Sequence, residues 1–589
     1  MKKKLIPLFI VPALLLSSCT LFTTSSVAGE VSVYNPDKLD ETKNLESGYQ
    51  KTVTARFVKN EPLIPYLTLE QYASLYDEHF AEGFTSTVEK SLYGSVWTVK
   101  YGDDPFFISS VDYLSREIIV SGTLTATFKP GDDPKDLRAL NHGLKTTAEG
   151  KFIGDRPYTI YSYDGYGLRH FSSSGEYYLP LGLLDITYSE NSSIYFTYAY
   201  EHIFSTHDVD NYQSLKFKKD GVEYTFDSEM KAHIADNTNM PSYLAKYNAG
   251  LFLYTMDYFY GLKKDKNIRS MASYYRNLGS IYDDLTSHNN NDRVYAYCDA
   301  LAVLDDNHTV LVSVNDTWSD GTYTTTRRYG QGCYNRSRTR VQLKGYRDQM
   351  YDNLSLVAGS DIIYSQDNKT AFFSFDSFSF GTSEQVFNAD GSIKETAGQY
   401  DTFFKLIDVF NKVEQKGTVE NIILDISLNG GGVVGIMIKL LALISKTNTC
   451  SLSMYTDTNS ELDIYHGQVD SNNDSKYDEN DCFGNKFNFY IMTSDCSFSC
   501  GNAFPCTAQR EGSAKIIGQK SGGGECAVGI HYLPNSEYVY HSSNLHLGAY
   551  DADNNAFIGY ENGATPDIEV AIDENFYSVE ALNRAILNA

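Results

Sequence analysis

From about residue 267 onward, apolar strand-like runs alternate with helical runs, and small residues build two of the strand-to-helix junctions. Helical periodicity covers residues 268–285, 294–304, 399–414, 432–446 and 500–511. Strand-like runs cover 371–375, 421–428, 487–493 and 514–518. Elements in this order imply an α/β sheet with crossover connections, because consecutive parallel strands need a helix between them.

The preceding part reads differently. Between about residues 48 and 265 short alternating strands dominate, such as 51–58 and 95–101, with one short helix capped by Thr68. Leu63-Ile64-Pro65-Tyr66-Leu67 finds an echo in Tyr178-Leu179-Pro180-Leu181, which hints at two related units. The chain has 47 Tyr against 2 Trp. Tyrosine suits half-buried sheet faces, since one end is apolar and the other makes hydrogen bonds. At 589 residues the chain exceeds one compact core. The expected organisation is a leader over 1–18, a tether over 19–47, a β-rich accessory domain over 48–265 and an α/β (α+β) catalytic core over 266–589.

The net charge of −26, from 75 acidic and 49 basic residues, repels phosphate backbones and argues against nucleic-acid binding. Met1-Lys2-Lys3-Lys4 followed by a short apolar run to Leu16 reads as an export signal, too short for a stable membrane span. Leu16-Ser17-Ser18-Cys19 resembles the lipobox of bacterial lipoproteins. That resemblance implies cleavage before Cys19, lipidation at Cys19, and a protein held at the membrane facing outside the cytoplasm.

Three separated segments carry the chemistry. Asn429-Gly430-Gly431-Gly432 ends a buried strand, and its glycines can turn several N–H groups outward. Ser494-Asp495-Cys496-Ser497-Phe498-Ser499-Cys500 joins another strand to a helix, placing serines and thiols at a helix N-terminus. Unpaired N–H groups and the helix dipole stabilise an anion there. A serine N-cap is the commoner use of such a residue. Leu304-Asp305-Asp306-Asn307-His308-Thr309 puts a histidine at a helix end. A serine, a base and free N–H groups are the parts of an acyl-transferring hydrolase.

These motifs, in this order, resemble the tail-specific, or C-terminal processing, serine proteases. Residues 423–432 resemble that family's glycine-loop signature, 491–504 its nucleophile turn, 514–524 the following strand, and 563–570 its closing Gly-x-x-Pro-Asp motif. The resemblance implies a ClpP- and crotonase-like core with Ser499 as nucleophile, and it puts Asn502 where the family usually has Glu. Gly524 stands where the Ser–Lys branch has its lysine. Residues 304–311 look instead like the Asp-Gly-His-Thr segment of the branch typified by tricorn protease and the retinoid-binding-protein repeats. That likeness implies His308 as general base, hydrogen-bonded to Ser499, and Glu561 as the acidic member. Oxyanion donors are expected from Gly430 or Gly431 and from Cys500. No cofactor is required, and the expected substrate is an exported protein or peptide.

Alternatives remain open at this point. Cys496 and Cys500 flank Ser499, and a helix N-terminus favours a thiolate. A silent binding protein would use the same fold without turnover, whereas a surface adhesion or carbohydrate-binding protein would make the β-rich N-terminal half the functional part. Eight cysteines follow Cys19, and an exported chain permits disulfides among them. Asp470, Asn472, Asp474, Asp478 and Asp481 have the spacing of a calcium loop, with Ser475 in place of the usual glycine.

Overall fold

The computed structural model describes residues 25–34, 48–124, 127–129, 137–154, 157–192, 194–199, 202–206, 216–219, 222–225, 240–313, 330–533 and 538–589. The leader and Cys19 lie outside them.

The α/β part is organised by a six-stranded sheet. Its order is Ile363–Tyr364, Thr370–Ser374, Asn421–Asp425, Asn488–Thr493, Ala514–Gly518 and Ile568–Glu569. The first pair is antiparallel and the rest are parallel. Every residue of Thr370–Ser374 and Asn421–Asp425 is buried, as expected of parallel strands covered on both faces. Alternation then sorts the side chains. Ile422, Leu424 and Ile491 enter one core with the helices Thr402–Lys416, Val434–Ile444 and Cys500–Glu511. Ile423, Tyr490 and Met492 enter a second core with the helices Gln331–Leu354 and Val579–Asn588. Each fully buried Ile or Leu contributes about 1.5–3 kcal/mol to holding these layers together.

Helix Thr402–Lys416 starts three residues later than its periodicity suggests. Residues Ala397–Gln399 form a separate 3₁₀ turn, and Asp401 caps the helix by accepting from Phe403 N at 2.9 Å. The 24-residue helix Gln331–Leu354 has no apolar stripe. It buries only Cys333, Leu343, Arg347 and Tyr351, which explains why periodicity gave no sign of it. Arg347 ties it to the sheet through Asp376, at 2.7 and 2.6 Å, and through buried Asp425 at 3.5 Å.

A second sheet runs Val310–Ser313, Tyr538–Asp551, Cys450–Thr456, Glu461–Val469 and Leu144–Phe152. Strands Cys526–Tyr532 and Ala556–Gly559 also pair with Tyr538–Asp551. Leu144–Phe152 comes from the N-terminal half and pairs antiparallel along the whole of Glu461–Val469.

The N-terminal half contains a seven-stranded and a five-stranded sheet around an aromatic core of Tyr72, Tyr76, Trp97 and Tyr188. Thr68 caps its helix as expected, in a reciprocal pair with Gln71. The echoing segments both run strand into helix, and the two strands pair, Leu67 opposite Leu179. Two expectations change. Ser26–Tyr34, placed in the tether, is a strand paired with Tyr49–Val58 because Val31 and Val33 alternate into the core. Residue 266 also does not divide the cores. One cluster runs from Val31 through helices Ser242–Tyr258 and Asn290–Ala302 to Leu311.

Candidate active site

Ser499 sits at the junction between strand Asn488–Thr493 and helix Cys500–Glu511 with φ 58° and ψ −125°. A non-glycine residue rarely adopts this conformation, which costs about 1–3 kcal/mol and persists only where surroundings enforce it. The enforcement is visible. Ser499 N donates to Gly523 O at 3.0 Å, and Phe498 N to Asn429 O at 3.0 Å. Ser497 Oγ donates to Ile426 O at 2.8 Å and Ser494 Oγ to Ser427 O at 2.6 Å. The turn is thus stitched to the glycine loop on one side and to residues 522–523 on the other. The outcome is a half-buried serine at the N-terminus of a 12-residue helix.

The glycine loop approaches from below. A Cβ on Gly431 would lie 2.7 Å from Ser499 Cβ and 3.1 Å from its Oγ, so only glycine permits this contact, at φ 115°. Gly431 N is not an oxyanion donor, because it donates to Asn429 Oδ1 at 2.8 Å. Among the described residues the N–H groups of Gly430 and Cys500 donate to no protein acceptor. Cys500 N is the first, unpaired N–H of its helix.

His308 lies two residues before the start of strand Val310–Ser313, and Asp306 fixes this turn. Asp306 accepts from His308 N at 3.0 Å and from Thr309 Oγ1 at 2.6 Å. Thr309 Oγ1 in turn accepts from Ser542 N at 3.2 Å on the neighbouring strand. The expected hydrogen bond to Ser499 is not made. The imidazole instead meets the Phe498 ring edge-on, with centroids 4.7 Å apart, and its Nδ1 has no partner. Burial holds the imidazole pKa below its ordinary value; Asp306 opposes this and Arg336 adds to it. The ring is therefore neutral at neutral pH.

Phe498 and Arg336 were not singled out from the sequence. Arg336 lies over the Phe498 ring at 4.7 Å and donates to Gly522 O at 2.8 Å. A Cβ on Gly524 would lie 2.4 Å from Phe498 Cζ, and Gly524 has φ 82°. The aromatic ring fills the space beside the position at which the Ser–Lys relatives carry lysine. An apolar residue wedged between Ser497 and Ser499 was the available signal for Phe498. Arg336, on a polar helix, gave none.

Glu561 lies behind the same turn. Its Oε2 accepts from Gly524 N at 2.9 Å and Glu525 N at 3.0 Å, and no hydrogen bond joins it to His308 or Asn307. Asn502 is fully buried and braces the helix, donating to Tyr560 O at 2.8 Å and accepting from Ser521 Oγ at 2.7 Å. All eight described cysteines are free thiols. Burial pushes Cys496 and Cys500 up to about 12, and Cys500 Sγ donates to Gly432 O at 3.1 Å. Neither is a ready thiolate. In the 470–481 loop, Asp470 accepts from Asp474 N and Ser475 N, and Asp481 from Ser471 N and Asp478 N. Among the described residues, no three of that loop's carboxylates gather within 4.8 Å.

The sequence profile of Peptidase family S41 matches residues 391–570, which span the glycine loop, the Ser499 turn and Glu561. No curated protein matches the chain by sequence. Among solved structures, a candidate peptidase from Parabacteroides merdae is 18% identical, over 56% of this chain and 89% of that one, with a TM-score of 0.36. Mature CPAF is 12% identical, over 59% and 98%, with a TM-score of 0.36. Tricorn protease is 10% identical, over 95% and 72%, with a TM-score of 0.31. At such overlap no residue role transfers from them. Residues 391–570 thus carry the sequence profile of peptidase family S41, which supports a serine-type peptidase of the tail-specific kind.

Proposed function

We propose that the protein is a membrane-tethered endopeptidase that cuts exported proteins or peptides through an acyl-enzyme on Ser499. The observation that carries this reading is the enforced positive-φ conformation of Ser499, with the free Cys500 N–H beside it and Gly431 against its Oγ. Neutral His308 takes the Ser499 proton as the hydroxyl attacks the peptide carbonyl. The oxyanion lies between the Cys500 and Gly430 N–H groups, where the helix dipole adds to the hydrogen bonds. His308 then protonates the leaving amine and activates water for deacylation. Since Phe498 stands against His308, the imidazole or the ring must turn when substrate binds for the proton to pass.

The absent Ser499–His308 hydrogen bond favours one second reading, a binding protein without turnover. Hydrolysis of an unfolded protein by wild type and its loss in Ser499→Ala support the peptidase; equal hydrolysis by both removes it. The tether rests on the leader and Cys19. Among the described residues no helix is long and apolar enough to cross a membrane. Cys19→Ser should release the protein from the membrane fraction or leave its leader uncleaved, whereas unchanged processing and fractionation discard the lipid anchor.

A further inference from the structure

Behind the Ser499 turn, strands Cys526–Tyr532 and Tyr538–Asp551 pair so that Cys526 stands directly opposite His546. His546 Nδ1 lies 3.6 Å from Cys526 Sγ and 2.7 Å from Glu525 Oε1. One donor atom from each of the three lies within 4.8 Å of the others, and no other such cluster occurs among the described residues. All three are buried, with Glu525 5%, Cys526 1% and His546 6% exposed. The other imidazole nitrogen, Nε2, has no partner, so the polar ties of the ring lie on the Nδ1 side, where the donors converge.

Thiolate, imidazole and carboxylate are the donor set of zinc-class cations. Bonds of about 2.0–2.1 Å to nitrogen and 2.3 Å to sulfur put the two donors about 3.6 Å apart around a tetrahedral ion. The Cys526–His546 spacing already matches. The Glu525–His546 pair has to open by about 0.6 Å to reach the corresponding nitrogen–oxygen edge. Further features of the packing lie beside the cluster. The Tyr260 hydroxyl, on a residue 2% exposed, has no hydrogen-bond partner. Tyr260 is followed by Gly261, on which a Cβ would lie 3.1 Å from Cys526 Sγ. The Glu525 and Glu561 carboxylates are held together by reciprocal hydrogen bonds, Glu561 N to Glu525 Oε2 at 2.7 Å and Glu525 N to Glu561 Oε2 at 3.0 Å, so negative charge gathers beside the cluster. A dication offsets that concentration of negative charge.

We propose that Glu525, Cys526 and His546 form a binding site for a thiophilic divalent cation of the zinc class. Cys526 binds as thiolate and its proton leaves to solvent. Glu525 offers Oε1 to the ion while Oε2 keeps accepting from Glu561 N at 2.7 Å, a supporting contact that orients the ligand. Glu561 holds Gly524 N, and Gly523 O holds Ser499 N, so the ion stiffens the turn on which Ser499 rests. The site stands independently of which substrate the peptidase cuts.

Cobalt(II) titration of the intact, metal-stripped protein tests this directly. Wild type should take up one equivalent, show a thiolate-to-cobalt charge-transfer band in the near ultraviolet, and melt at higher temperature with metal. Cys526→Ser should lose the band, and His546→Gln should bind at least tenfold more weakly. Wild type alone decides the matter if a variant misfolds. Failure to take up one equivalent, uptake without the charge-transfer band, or an unchanged band in Cys526→Ser overturns the site.

Discussion

The Phe498 ring stands edge-on to the His308 imidazole, 4.7 Å between centroids, and its tip fills the space next to Gly524. One side chain thus fills the place beside the lysine position and contacts the candidate base. It is itself held by Arg336 from a third direction.

That packing makes Gly524 intolerant of a lysine, the residue expected there in the Ser–Lys branch. Gly524→Lys forces a side chain onto φ 82° and into the Phe498 ring. Stability should fall by about 1–3 kcal/mol from the backbone alone, and peptidase activity should fall rather than rise. Thermal melting and a peptide assay measure both. An active, unshifted variant would mean that the turn is looser than its packing indicates.

The environment of His308 fixes the sign of the pH dependence. A general base works deprotonated, so kcat/KM should fall as pH drops through the His308 pKa, which lies below the unperturbed value of about 6.5. Arg336→Gln removes a charge that lowers this pKa and should move the acid limb to higher pH. Asp306→Asn removes a charge that raises it and should move the limb to lower pH. Shifts of the same sign in both variants, or a wild-type midpoint well above 6.5, contradict the assignment.

Glu561 uses its carboxylate on backbone, not on histidine. Glutamine still offers an oxygen to Gly524 N and Glu525 N, so Glu561→Gln should keep kcat within a few fold. Glu561→Ala leaves the N–H groups of two buried residues unpaired, at about 1–3 kcal/mol each, and should lose both activity and stability. Steady-state kinetics beside thermal melts separate the two. If the glutamine variant is as dead as alanine, a charged relay through Glu561 is required after all.

Much of the α/β core was legible in the sequence, because its strands are short apolar runs and its helices carry apolar stripes. Ala514–Gly518 and Cys500–Glu511 have the expected bounds, and the Ser499 turn and the glycine loop meet. Features that depend on long-range packing were not legible. Helix Gln331–Leu354 buries only four of its 24 side chains, one of them Arg347, so no continuous apolar stripe marks it in the sequence. Gly431 looks like a donor in sequence, yet the neighbouring Asn429 side chain takes its N–H. The Phe498 ring beside His308 follows from how two sheets pack, which no local pattern encodes. Leu144–Phe152 joins the second sheet across more than 300 residues of chain for the same reason.

The central claim is that the fold activates Ser499 as a nucleophile, and a fluorophosphonate probe tests it without a known substrate. Wild type should acquire one covalent adduct, mapped by mass spectrometry to Ser499. Labelling should vanish in Ser499→Ala, weaken strongly in His308→Ala, and persist in Cys500→Ala, whose thiol is buried with its pKa pushed up to about 12. An adduct on Cys500, or undiminished labelling of Ser499→Ala, would contradict the account.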